Sequence, residues 1–314
     1  MPTTSVYYDS RFAGTLSGRR RAALVRWALG CLLAVAGLGA TLSAQYTVAD
    51  LPGVESYGGR ISVRRDLPFG TQDYQTLDLY LPLGVGPFPA VVCWFGGNFV
   101  GGNKSHMARI AAFLASIGIA AVTPEYYLAT LDGSRPGWPA NVHDAKAAVR
   151  HVRSKAAEWR LDPARIAGLG YSSGAYLAMM VAFTPHVRTL EGDGAAPGES
   201  SALVAVVDIA GVCDRRGSLG TGTLPLLGHG YEARPELRTL ASPVAHVGPT
   251  TVPVYILHGE HDSVAQVESA LKLAEALKAH RVPHHLQLVE AGHFPIATET
   301  IAPVAQWLKQ RLGP

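Results

Sequence analysis

The chain has 314 residues, 48% hydrophobic and 16% charged, with three cysteines and a formal net charge of +3. This composition excludes a disordered or fibrous polypeptide, and the length is enough to bury a large core in one α/β domain of roughly 250 residues. The first 44 residues hold five Arg and one Asp, so the remainder carries 22 basic and 23 acidic residues, a net of −1. A chain with that balance lacks the positive field that nucleic-acid binding needs.

Residues 1–44 stand apart from the rest. Arg19-Arg20-Arg21 and Arg26 precede an apolar stretch, residues 27–42, which gives way to the small residues Ser43-Ala44. Basic segment, apolar segment and small-residue site in that order predict a secretory signal cleaved after Ala44, and hence an exported protein, periplasmic or extracellular. The alternative is a retained membrane anchor, since residues 22–44 are almost long enough to span a bilayer; membrane contact is expected only in that case. Residues 45–314 are then a single α/β domain. Of the cysteines, Cys31 lies in the signal, while Cys93 and Cys213 flank apolar runs and are read either as a disulfide or as two buried free thiols.

From Gly59 onward the pattern is regular. Residues 60–66 and 75–81 alternate apolar and polar side chains around a Pro68-Phe69-Gly70 turn, and predict two antiparallel edge strands. An apolar strand, 90–95, leads into a glycine-rich loop through Gly102, then a helix over 105–117 and a second apolar strand, 120–123. A long helix follows at 140–159, a strand at 165–169, and a helix at 175–183. Further strands are expected at 202–209, 252–258 and 285–290, and further helices at 264–280 and 296–311. Uninterrupted apolar strands, each followed by a helix, mark a mostly parallel sheet covered on both faces. Residues 211–251 form a long excursion with a short helix at 235–240, and that length predicts a wall of a binding site.

The pentapeptide Gly170-Tyr171-Ser172-Ser173-Gly174 joins a strand to a helix. In that setting G-x-S-x-G reads as a nucleophile elbow: the turn is so tight that side chains two residues either side of Ser172 would strike backbone, and glycine removes the collision. Serine needs a base, and the base an orienting acid, here expected in the order Ser, acid, His on loops after later strands. Asp262 lies within His258-Gly259-Glu260-His261-Asp262, and His293 within Glu290-Ala291-Gly292-His293-Phe294; both follow predicted strands. Competing assignments are Glu260 as the acid, Ser173 as the nucleophile, and His258, His261 and Asp262 as metal ligands, although no third ligand spacing supports a metal. Oxyanion donors are expected from the amide of Ser173 and from the loop Trp94-Phe95-Gly96-Gly97-Asn98, where Gly97 and Asn98 are the candidates.

Together these motifs resemble an α/β-hydrolase of the esterase and lipase group, related to hormone-sensitive lipases and to feruloyl or acetyl esterases of the BD-FAE type. The carriers, spread over residues 60–312, are Leu77-Asp78-Leu79-Tyr80-Leu81-Pro82, the glycine-rich loop, Asp162-Pro163-Ala164-Arg165-Ile166 before the elbow, Ser242-Pro243, and the Asp262 and His293 loops. The resemblance implies an eight-stranded, mostly parallel twisted sheet with helices on both faces, and hydrolysis of a small-molecule or polysaccharide-borne ester through an acyl-enzyme, with no cofactor and no metal. The sequence departs from the family's His-Gly-Gly-Gly loop: Phe95 stands for the His and Asn98 for the third Gly. An amidase or peptidase on the same scaffold, or a non-catalytic binding protein, are the competing functions.

Overall fold

In a computed structural model the described residues are 51–217 and 220–313. The signal expected over residues 1–44 therefore lies outside them. Among the described residues no helix is long and apolar enough to cross a membrane. Eight strands form one sheet: β1 (Ile61–Pro68), β2 (Thr76–Pro82), β3 (Phe88–Trp94), β4 (Ala120–Pro124), β5 (Leu161–Tyr171), β6 (Val206–Ile209), β7 (Val254–Gly259) and β8 (His284–Val289). Their spatial order is β1-β2-β4-β3-β5-β6-β7-β8. The first two strands run antiparallel to their neighbours and the other six are parallel.

The eight helices described are α1 (Ala108–Ser116), α2 (Ala140–Ser154), α3 (Ala156–Trp159), α4 (Ser173–Phe183), α5 (Thr223–Leu227), α6 (Pro235–Leu240), α7 (Glu268–Ala279) and α8 (Thr298–Leu312). The step from β3 to β4 runs one way across the sheet, and the steps from β4 to β5 and β6 run the other way. Right-handed crossovers therefore put α1 on the face opposite α2 and α4. Every residue of α4 is buried, as its unbroken apolar sequence requires of a helix enclosed between the sheet and α2. This is the α/β-hydrolase fold.

Two expectations need correction. The strand over 75–81 is not an edge: β2 lies between β1 and β4, and only β1 borders solvent on that side. Its alternation arises because Asp78, buried at 2% exposure, meets Lys104 at 3.0 Å and Arg65 at 3.1 Å. The helix over 140–159 is interrupted at Lys155, and its last turn ends at Arg160 in the left-handed conformation. Cys93 and Cys213 are free and buried, and burial pushes both thiols up.

Candidate active site

The elbow is built by crowding. A Cβ added to Gly170 would sit 2.1 Å from the Gly174 carbonyl oxygen, and one added to Gly174 would sit 2.1 Å from the Trp94 carbonyl oxygen. Only glycine at both places lets α4 start directly off β5 while β3 passes alongside. Ser172 is held between them at φ 55° and ψ −119°, a conformation rare outside glycine. Its amide donates to the Ile209 carbonyl at 2.8 Å, which ties the turn to β6.

His293 and Asp262 arrive from the loops after β8 and β7, and both meet at the elbow. His293 Nε2 is 2.9 Å from Ser172 Oγ, and Nδ1 is 2.7 Å from Asp262 Oδ2. The other oxygen, Oδ1, accepts the Val264 and Ala265 amides at 2.8 Å each, so the carboxylate cannot turn away. Burial alone would raise the Asp262 carboxyl, but hydrogen bonds from His258 and His293 and the electrostatic pull of His293 hold it well below the usual carboxylate range. The His293 imidazole, 16% exposed, is thus oriented against a fully buried carboxylate.

A second layer supports these groups. The Tyr171 hydroxyl donates to the His293 carbonyl at 3.0 Å, and its ring packs on both His293 and Phe294. His258 is fully buried; its Nε2 donates to the Ala265 carbonyl at 2.7 Å and lies 3.4 Å from Asp262 Oδ2. It therefore braces the loop that carries Asp262. His261 instead sits on the surface, 2.5 Å from Glu290, and Glu260 is exposed. The two histidines diverge, so neither His261 nor Glu260 reaches the site.

The loop after β3, where oxyanion donors were expected, is forced into unusual backbone. Gly97, Asn98 and Phe99 all have positive φ, at 141°, 56° and 68°. At Gly97 a Cβ would strike the Gly101 carbonyl oxygen at 2.0 Å. Among the described residues the amides of Gly97, Asn98 and Ser173 donate to no turn or loop carbonyl. Phe95 supports the loop by packing where a histidine was expected: its ring stacks on Tyr126 at 4.3 Å, its carbonyl accepts from the Tyr126 hydroxyl at 2.8 Å, and its ring makes a T-shaped contact with His106. Asn98 Oδ1 accepts from Thr221 at 3.2 Å, which joins the loop to the excursion after β6.

A narrow cavity of about 10 Å³ opens at Ser172, walled by Asn98, Phe99, Val212, Arg215 and Val264, with Ser173, Thr221 and Ala265 completing it. Of the aromatics near the elbow, Phe99 reaches this cavity while Tyr126 is core. Arg215 and Asp208 were not singled out from the sequence. Asp208 is buried at the end of β6, where its Oδ1 accepts the Gly211 amide at 2.9 Å and its Oδ2 has no partner. Burial raises it to about 6, with His258 acting against that rise. A carboxylate inside an apolar parallel strand was the one available signal.

The BD-FAE family model matches residues 77–277, or 201 of the 314 residues. The chain belongs to the BD-FAE family. The matched stretch holds Ser172 and Asp262 and ends before His293, whose relation to them comes from the geometry alone. Curated relatives of this BD-FAE chain include a probable carboxylic ester hydrolase, LipM, and an esterase, LipQ, both from Mycobacterium tuberculosis. LipM is 29% identical over 58% of this chain and 43% of its own length; LipQ is 27% identical over 68% and 52%. The chain thus spans about half the length of the curated relatives it matches. Among solved structures, an acetyl ester-xyloside bifunctional hydrolase from Caldicellulosiruptor lactoaceticus superposes with a TM-score of 0.65 at 27% identity, over 76% of this chain and 86% of its own.

Proposed function

We propose that this chain is an exported serine hydrolase of carboxylic esters. The observation that carries the reading is the unbroken path from Ser172 Oγ through His293 to Asp262, with links of 2.9 and 2.7 Å, at a backbone strained to present the hydroxyl. Ser172 Oγ attacks the ester carbonyl carbon as His293 Nε2 takes its proton, and the oxyanion is met by the amides of Gly97, Asn98 and Ser173. Collapse breaks the acyl–oxygen bond, and His293 returns the proton to the departing alcohol. Water then attacks the acyl-enzyme, again through His293, which releases the acid and restores Ser172. Asp262 stays ionised throughout and stabilises the imidazolium.

The esterase names of the curated relatives and the acetyl ester named in the Caldicellulosiruptor structure support an ester as substrate, small or borne on a polysaccharide. Export rests on residues 1–44 and is checked by the N-terminus of the mature protein, expected at Gln45.

Hydrolysis of 4-nitrophenyl acetate by wild type and Ser172→Ala tests the assignment. The variant is expected to lose on the order of 10⁶ in kcat. A variant retaining most of the activity, or a wild type that cleaves the matching anilide and not the ester, would overturn it.

A further inference from the structure

Arg215 is an unusual neighbour for a nucleophilic serine. It lies six residues beyond β6 at 2% exposure, and its Cζ sits 4.9 Å from the Tyr176 ring centroid and 5.3 Å from that of Phe99. Its Nη1 donates to the Thr221 carbonyl at 2.9 Å, while Nε is buried with no partner. Among the described residues it forms no ion pair. The adjacent carboxylate, Asp214, is taken up by Arg216 at 2.9 Å and Lys272 at 2.5 Å. A buried cation without a counter-anion is costly, and burial pushes this guanidinium down to about 10.

The same side chain walls two cavities. One is the narrow space at Ser172; the other, about 370 Å³, is lined also by Arg216, Thr221, Tyr231, Glu232 and Arg238. Arg238, half-buried, likewise has an unpartnered buried Nε. The leaving alcohol must sit where His293 Nε2 can protonate it, whereas the narrow cavity is walled by Phe99, Val212, Val264 and Arg215. The acyl portion is therefore assigned to the side of Ser172 that Arg215 walls.

We propose that Arg215 selects esters whose acyl group carries a carboxylate, the half-esters of short dicarboxylic acids. The carboxylate supplies the missing counter-anion and accepts from the guanidinium, which already walls the space beside Ser172. The inference rests on the ester-hydrolase reading above, because it assigns the acyl side from the role of His293.

The test compares kcat/KM for 4-nitrophenyl hemisuccinate with that for 4-nitrophenyl valerate, a neutral ester of equal chain length, in the full chain. Wild type is expected to favour the hemisuccinate by about tenfold or more, and Arg215→Met to reduce the ratio to about one or below. Succinate should inhibit wild type more strongly than valerate does, a measurement that needs no variant. If wild type hydrolyses valerate and acetate esters but shows no preference for the hemisuccinate and no stronger inhibition by succinate, this proposal is wrong and the esterase reading stands. If Arg215→Met lowers both rates equally, the arginine serves the fold or the oxyanion and the proposal is also wrong. If no ester is cleaved, the underlying reading has failed.

Discussion

The floor and the wall of the site are held together in different ways. The floor, from β5 through the elbow into α4 with the Asp262 and His293 loops, is specified by close contacts: glycines packed to within atomic radii of neighbouring backbone, and hydrogen bonds of 2.7 to 2.9 Å. The wall, from Gly211 to Thr251, is specified by contacts between distant parts of the chain, such as the Tyr176 hydroxyl donating to the Ala241 carbonyl at 3.0 Å. Each region has a buried cation near it, and the two differ. Lys146, fully buried in α2, meets the Glu191 carboxylate at 2.6 Å and the Thr184 carbonyl at 2.6 Å. Arg215 in the wall has aromatic faces and a carbonyl but no carboxylate. Lys146 comes with its counter-charge, whereas Arg215 lacks one, which is the difference the proposed ligand carboxylate would make good.

The floor should fail most sharply. Asp262→Asn keeps the shape but removes the charge that stabilises the imidazolium, and is expected to lower kcat by about 10⁴ with the fold intact by circular dichroism. Gly174→Ala forces a methyl group against the Trp94 and Phe95 carbonyls. Overpacking of this kind costs typically about 1–3 kcal/mol, so the melting temperature should drop and activity with it, since the oxyanion loop begins at Phe95. If this variant melts like wild type, crowding does not shape the elbow.

The two cations give a smaller, comparative effect. Lys146→Met leaves Thr184 without its buried donor and should cost roughly 2–4 kcal/mol. Arg215→Met removes a charge that has no counter-ion, and should change stability by less than about 1 kcal/mol. Denaturant unfolding of both decides it: a larger loss from Arg215→Met would reduce that residue to a structural one.

Asp208, at the junction of floor and wall, tunes stability by pH. Its carboxyl, raised to about 6 by burial, is protonated in the folded chain where the unfolded chain has already lost the proton. Its contribution therefore falls as pH rises from about 4 to about 6 and stays low above that, by on the order of 3 kcal/mol. Asp208→Asn should flatten this portion of the unfolding profile, most visibly between those values. An unchanged profile would mean that Asp208 does not hold its proton.

Much of the floor was legible in the sequence because its signals are short. Ser172, Asp262 and His293 each end an apolar strand within a few residues, and the glycines of the elbow and of the Gly97 turn lie next to the groups they serve. The order of strands along the chain likewise follows from local apolar runs, although β2 was misread as an edge because the polar Asp78 inside it is satisfied by Lys104 and Arg65 from elsewhere. The wall was hidden for the opposite reason. Nothing near Arg215 indicates that it will lie between Phe99 and Tyr176, which come from the loop after β3 and from α4. The same holds for Phe95, whose support of the oxyanion loop depends on a stacking partner, Tyr126, beyond the next strand.

The most direct test of the central claim is the site of covalent labelling by a fluorophosphonate, located by peptide mass spectrometry in wild type and in His293→Ala. The account predicts an adduct on the peptide containing Ser172 in wild type, with labelling slowed by several orders of magnitude in the variant. A wild type whose Ser172 stays unlabelled, or labels at the same rate without His293, would contradict it.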